Sequence, residues 1–206
     1  MPPLNHVLPL SRFDGLTRRR GGFARWPRVF AFVGLVFACM LAGGKARASE
    51  AQEAAVKAAG LFKIISFVEW PASAFSTSDA PLVVGVVGRD PIANLIESFA
   101  EGETWHGRKV VVRPFSSSRM TGECHVLFVG LSEQSNWSNI RSQCVARPIL
   151  TISDASQFAR MGGIVQLATE RNRLHLIVNV GVARESGVTI SSKVLRLAEI
   201  VGDPRP

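Results

Sequence analysis

Two cysteines have the clearest chemical capacity in this sequence. Cys124 opens one predicted strand, and Cys144 lies just ahead of the next predicted parallel strand, with a single crossover helix between them. The first residues of adjacent parallel strands can lie side by side, within the Cα separation of about 4.4 to 6.8 Å that a disulfide needs. We therefore expect a Cys124–Cys144 disulfide, with two free buried thiols as the alternative.

Two aspartates are the best candidates for contacting a ligand. Asp90, which follows Arg89, and Asp154 each come just after a predicted parallel strand, at the edge of the sheet where α/β folds usually bind ligands. Each aspartate also precedes a predicted helix, where a carboxylate accepts hydrogen bonds from the first backbone amides, and we favour this capping role. Trp70 lies in a segment with turn character and is a candidate partner contact, although core packing is favoured.

No recognisable catalytic or cofactor motif accompanies these residues. The sequence Gly85-Val86-Val87-Gly88 lacks the spacing of a dinucleotide-binding fingerprint. Cys124 and His125 are neighbours on a predicted strand and point to opposite faces, so a regular strand excludes a thiol–imidazole dyad. The histidines are too scattered for metal-ligand spacing. We expect a protein that is not an enzyme and that holds no metal or cofactor.

The first 48 residues have the organisation of a cleavable signal peptide. An uncharged apolar run over 29–44 follows a basic stretch and is shorter than the about 20 residues of a membrane-spanning helix. The small-residue sequence Ala46-Arg47-Ala48 then predicts cleavage between Ala48 and Ser49, with an uncleaved membrane anchor as the alternative. Either outcome predicts a periplasmic domain. The basic stretch consists of Arg18, Arg19, Arg20, Arg25 and Arg28.

The predicted signal peptide also accounts for the basic charge. The whole chain has 24 basic and 16 acidic residues, of which residues 1–48 contain eight and one, so the remainder has 16 minus 15, or +1. A strongly basic chain would suggest a nucleic-acid partner, but this excess belongs to targeting, and we expect no nucleic-acid binding. The third cysteine, Cys39, leaves with the signal, and an even pair remains for an oxidising compartment.

Residues 49–206 are predicted to form a single three-layer α/β domain with a mixed, partly parallel sheet and a C-terminal β-hairpin followed by a helix. Apolar residues at helical spacing predict the first and last helices, and continuous apolar runs predict buried strands. The pair Asp90-Pro91 marks the start of a further helix. The main elements expected are helices over about 51–68, 132–143 and 191–201, and strands over 82–87, 109–115, 125–129, 149–152, 164–169 and 174–180.

With these elements placed, the chain resembles the YfiR family of periplasmic proteins. The resemblance extends through nearly all of residues 49–206 in the expected order, and no single piece is catalytic. The matching stretches are FVEWPASAF at 67–75, CHVLFV at 124–129, PILTISD at 148–154, the Gly162-Gly163 turn, and NRLHLIVNVGVARESGVTISSKVLRLAEIV at 172–201.

The resemblance implies a regulatory function. Proteins similar to YfiR repress a membrane-bound diguanylate cyclase by binding its periplasmic region, an outer-membrane lipoprotein can sequester the repressor, and members form homodimers. A histidine kinase or another envelope receptor could replace the cyclase as the partner. The competing hypothesis is a periplasmic small-molecule sensor whose ligand lies near Arg89, Asp90 and Asp154, and an enzyme is the least favoured.

Overall fold

The computed structural model describes residues 49–117, 124–170 and 173–202. The predicted signal peptide, with Ala48, lies outside the described residues, and Ser49 is the first residue inside them. The helices are α1 (residues 49–65), α2 (Pro91–Ala100), α3 (Trp137–Cys144), α4 (Val180–Glu185) and α5 (Ser192–Leu195). The strands are β1 (Val68–Glu69), β2 (Leu82–Val87), β3 (Thr104–Trp105), β4 (Arg108–Phe115), β5 (Val126–Val129), β6 (Leu150–Ser153), β7 (Val165–Glu170), β8 (Arg173–Asn179), β9 (Thr189–Ile190) and β10 (Ala198–Val201).

Eight of these strands form one mixed sheet in the order β10-β8-β7-β6-β5-β2-β4-β3. Its centre is parallel: β2 pairs with β4 and β5, β5 pairs with β6, and β6 pairs with β7. The predicted hairpin is confirmed, because β7 and β8 pair antiparallel from Val165↔Val178 to Glu170↔Arg173. Strands β1 and β9 form a separate antiparallel pair. The predicted fold class, an α/β domain with a mixed sheet, is confirmed.

The central strands are buried on both faces because they separate two apolar layers. Successive side chains of a strand point to opposite faces, and β5 shows this directly. Val126 and Phe128 belong to the larger core with α1 and α2, whereas Leu127 and Val129 belong to a smaller core with α3. This alternation explains why the sequence of β5 is a continuous apolar run rather than an alternating one.

Helix α1 packs its apolar side against this larger core. Ala54, Ala58, Leu61 and Ile65 are buried at helical spacing. Gly60 allows the close approach of β8, because a Cβ on Gly60 would collide with the side chain of Leu174. The helix therefore lies tightly against the hairpin that begins the last third of the domain.

The helix predicted over 191–201 is wrong in its second half. Helix α5 ends at Leu195, and residues 198–201 form β10, which pairs in parallel with β8 from Ala198↔Leu176 to Val201↔Asn179. The free edge of β8 offers backbone hydrogen bonds to this segment, and this tertiary contact overrides the helical spacing of its apolar residues. Leu197, one of the apolar residues of the expected helix, is 79% exposed.

Candidate functional site

The carboxyl edge of the parallel strands brings together three of the residues singled out in the sequence. Arg89 and Asp90 follow β2, and Asp154 follows β6, with the end of β5 between them. Trp70 lies at the opposite, amino edge of the sheet, where its indole reaches the carbonyl of His125 just before β5. The predicted contact residues therefore divide between two ends of the domain.

Asp90 is the N-cap of α2. Its Oδ1 accepts hydrogen bonds from the amides of Ile92 at 2.7 Å and Ala93 at 2.9 Å, as expected for an N-cap carboxylate. Its Oδ2 accepts the amide of Leu131 at 3.1 Å, which joins the end of β2 to the segment after β5. Arg89 is exposed, and its amide donates to Ser132 Oγ at 2.9 Å. The Asp90 carboxylate thus serves the fold, as the favoured capping role predicted.

Asp154 belongs to a charged group that also includes two residues of α1. Lys57 Nζ lies 3.0 Å from Asp154 Oδ2 and 2.9 Å from Glu53 Oε1. The Lys57 and Asp154 side chains are only 12% and 8% exposed, whereas Glu53 is 43% exposed. The Lys57–Asp154 ion pair joins residues that are 97 positions apart in the sequence and attaches α1 to the carboxyl edge of the sheet.

Burial and neighbouring charges both shift the pKa values of this group. Burial raises the pKa of Asp154, the Lys57 ammonium opposes that effect, and the Asp90 carboxylate adds to it. Burial disfavours the Lys57 ammonium, but its hydrogen bonds to Glu53 and Asp154 outweigh burial, and the pKa of Lys57 is raised. The hydrogen bond from Lys57 lowers the pKa of Glu53. The second oxygen of Asp154, Oδ1, is buried and has no hydrogen-bond partner among the described residues.

Lys57 was missed in the sequence. It lies between the buried positions Ala54 and Ala58 of α1, four residues after Glu53. A cation beside the apolar stripe of an amphipathic helix indicates a buried or half-buried ion pair, because lysine is almost never buried without a partner. That feature could have singled out Lys57, although the partner across the sheet could not be read from the sequence.

The FVEWPASAF segment packs across the amino edge of the sheet as an aromatic cluster. Trp70 is 7% exposed, its Nε1 donates to the carbonyl of His125 at 3.1 Å, and its ring meets Trp105 edge-on at 5.1 Å. The Phe75 ring stacks on the ring of His125, with 4.4 Å between the ring centroids. The Arg108 guanidinium lies over the Phe75 ring, 3.9 Å from its centroid. The Trp70 side chain is occupied by core packing, which was the favoured expectation.

His125 joins this cluster to the central strands. Its Nδ1 lies 3.0 Å from the amide of Val83, which donates to it, and its Nε2 lies 3.0 Å from the carbonyl of Ala74. Because Nδ1 accepts, the proton sits on Nε2, and the imidazole is neutral in this arrangement. The histidine is 1% exposed and works as a structural connector.

The two described cysteines are free thiols, and the expected disulfide is not formed in the structure. Both are buried in the smaller core, where Cys124 Sγ is 3.1 Å from the carbonyl of Val126 and Cys144 Sγ is 3.4 Å from that of Ile140. Each sulfur is thus directed to a carbonyl of its own segment. Burial raises the pKa of Cys124 to about 12 and that of Cys144 to about 11. The bridge stays a prediction for the exported protein, and two reactive thiols in the unreduced, unfolded chain would exclude it.

A protein-family model described as YfiR/HmsC-like matches residues 54–199. The chain belongs to this family. The match runs from α1 into β10 and confirms the resemblance that the sequence motifs suggested. Membership of this family indicates a periplasmic regulatory protein. The described residues contain no helix that combines the length and the apolar character of a membrane span.

Solved structures give weaker matches. The chain is 15% identical to the ABC domain in complex with L-Trp from Streptococcus pneumonia, with a TM-score of 0.46 over 58% of this chain and 55% of that one. It is also 15% identical to a conserved domain protein from Vibrio cholerae, with a TM-score of 0.44 over 57% and 54%. The chain thus spans about half the length of each. No curated protein matches it.

Proposed function

We propose that this protein is a periplasmic repressor that lowers the output of a membrane-bound diguanylate cyclase by binding the periplasmic region of that enzyme. The observation that carries the proposal is the YfiR/HmsC-like match, which covers nearly the whole described domain. Repression of this kind requires only that the protein bind one state of the cyclase better than another, because differential affinity shifts a two-state equilibrium. The export signal predicted over residues 1–48 would deliver the repressor to the correct side of the membrane.

The edge of the sheet at β10 is the surface we assign to this partner. Strand β10 pairs with β8 alone among the described strands, so its outer edge keeps unpaired backbone groups. Leu197 is 79% exposed and Ile200 is 40% exposed beside that edge. Glu199 pairs with Arg160 at 2.6 Å, which holds the strand in place. An exposed edge with apolar side chains suits the addition of an extended apolar segment, here one from the periplasmic region of the cyclase.

Deletion and complementation test the proposal. Deleting the gene should raise cellular cyclic-di-GMP, and the full chain should restore the lower level. The same chain without residues 1–48 should not restore it, because the repressor must reach the periplasm. Unchanged cyclic-di-GMP on deletion, together with recovery of the protein from the envelope without any inner-membrane signalling enzyme, would refute the proposal.

The assigned surface has its own test. Leu197→Asp should abolish repression without lowering the thermal stability of the purified domain, since the side chain is exposed. Met161→Asp is the matched control, because Met161 is 49% exposed and lies outside β10. Full repression by the Leu197→Asp chain would place the cyclase contact elsewhere. Loss of repression in both variants would show only a general sensitivity to added charge and would also count against β10.

A further inference from the structure

A cavity of about 200 Å³ lies beside α3 and α4, apart from the carboxyl-edge residues described above. Its buried lining includes Trp137 and Cys144 of α3 and Thr151 of β6. Val182 of α4 adds a half-buried apolar wall. This volume of about 200 Å³ is below the about 300 to 1,000 Å³ of typical pockets for drug-sized ligands, which suits a small metabolite.

The buried polar groups of this cavity already have hydrogen-bond partners. Trp137 Nε1 donates to the carbonyl of Met161 at 3.0 Å, and Thr151 Oγ1 accepts the amide of Ile164 at 2.9 Å. Cys144 Sγ lies 3.4 Å from the carbonyl of Ile140. The interior of the cavity therefore offers an apolar surface with its internal hydrogen bonds satisfied.

The charged groups of the cavity lie at its exposed rim. Arg141 on α3 and Glu185 on α4 both line it, and both are exposed. Within the described part of the chain, no ion pair joins either side chain to another group at N···O distances of 4.0 Å or less. The cavity thus presents one cation and one anion that face it and do not neutralise each other.

Gly162 leaves room for Arg141 beside the turn. A Cβ at Gly162 would lie 2.5 Å from Arg141 Nε and 2.8 Å from Arg141 Cζ, so the guanidinium packs closely against the turn. Gly162 has φ +89°, which also favours glycine. The Gly162-Gly163 turn that the sequence motifs singled out therefore accommodates a donor group that can bind a carboxylate in bidentate fashion.

We propose that this cavity binds a free α-amino acid with a short or medium apolar side chain. The carboxylate of the amino acid pairs with Arg141, its ammonium pairs with Glu185, and its side chain packs against Trp137 and Val182. A zwitterion satisfies both rim charges at once, whereas an anion or a cation satisfies one and leaves the other unpaired. The inference does not depend on the repressor function, because binding is measured on the purified protein without a cyclase.

Calorimetric titration with L-alanine, L-valine and L-leucine tests the proposal. At least one of the three should bind the wild-type protein. Arg141→Ala and Glu185→Ala should each weaken that binding by about tenfold to a hundredfold, the range of a lost charge-assisted hydrogen bond. Both side chains are exposed, so neither variant should unfold. The matched control is Arg196→Ala, which removes an exposed arginine outside the cavity and should leave the affinity unchanged.

Ligand analogues and a thiol probe locate the site independently. For leucine, isopentylamine lacks the carboxylate and 4-methylpentanoate lacks the ammonium, and each should bind at least tenfold more weakly. A bound amino acid should also slow alkylation of Cys144, which lines the cavity. The proposal is overturned if none of the three amino acids binds at concentrations up to about 10 mM. It is equally overturned if the affinity is the same in Arg141→Ala, Glu185→Ala and wild type.

Discussion

Replacing Lys57 by methionine tests whether the buried ion pair at the carboxyl edge stabilises the domain. Methionine keeps the apolar stem of lysine and removes the ammonium that lies 3.0 Å from Asp154 Oδ2. The Asp154 side chain is 8% exposed, and its Oδ1 already has no partner among the described residues. Removing one member of a buried ion pair costs about 3 to 5 kcal/mol. We expect the lower end, about 3 kcal/mol at pH 7, because Asp154 can take up a proton.

The loss should depend on pH in a definite direction. Burial raises the pKa of Asp154 and Lys57 pulls it down, so the pKa of Asp154 should rise further in Lys57→Met. A carboxyl whose pKa is higher in the folded than in the unfolded state stabilises the fold when protonated. That contribution is lost as pH rises from the unfolded pKa through the folded one. The variant should therefore lose less stability near pH 4 than near pH 7.

Urea denaturation followed by circular dichroism at both pH values measures this difference. Asp154→Asn should cost less than Lys57→Met at pH 7, because Lys57 keeps its 2.9 Å contact with Glu53. The double variant should lose most of the pH dependence, since neither buried charge remains. Glu53 is 43% exposed, so solvent screens its share of the effect. A loss below about 1 kcal/mol for Lys57→Met at both pH values, or an equal loss at both, would refute the reasoning.

Three further predictions concern the thiols, the buried histidine and the helix cap. In the folded, reduced protein at pH 8, both thiols should alkylate slowly, and Cys144 should react before Cys124. The reason is that burial raises the pKa of Cys144 to about 11 and that of Cys124 to about 12. Mass spectrometry gives the order of alkylation, and the reverse order would contradict the prediction. His125→Ala should lower the free energy of unfolding by about 2 to 4 kcal/mol in urea denaturation, because the amide of Val83 and the carbonyl of Ala74 lose their hydrogen-bond partner. His106→Ala, at an exposed position, should cost almost nothing. Asp90→Ala should cost about 1 to 2 kcal/mol and Asp90→Asn less, and equal losses would show that capping is not the cause.

Local features of the sequence predicted most of the domain's elements. The pair Asp90-Pro91 predicted the start of α2, and Asp90 does cap that helix. The apolar run over 82–87 predicted β2 with its observed bounds. The two neighbouring apolar runs over 164–169 and 174–180 predicted the β7–β8 hairpin. These features act within a few residues of the chain, so they need no knowledge of the rest of the fold.

The segment after Leu195 shows where local pattern fails. Its apolar residues recur at helical spacing, yet residues 198–201 form an edge strand because β8 has an open side to pair with. A pattern records which positions are apolar, but not which hydrogen-bonding edge is available nearby. The short strands β1 and β9 were missed for the same reason, since each exists only through its pairing with the other.

The sequence alone determined the family, the α/β class and the capping of α2, because each of these depends on residue order over short distances. The tertiary structure alone decided which charges meet. Lys57 and Asp154 are 97 positions apart and form an ion pair, and Arg141 and Glu185, on two different helices, line one cavity without pairing. Pairing across such distances is set by how helices pack on the sheet, and no local pattern encodes it.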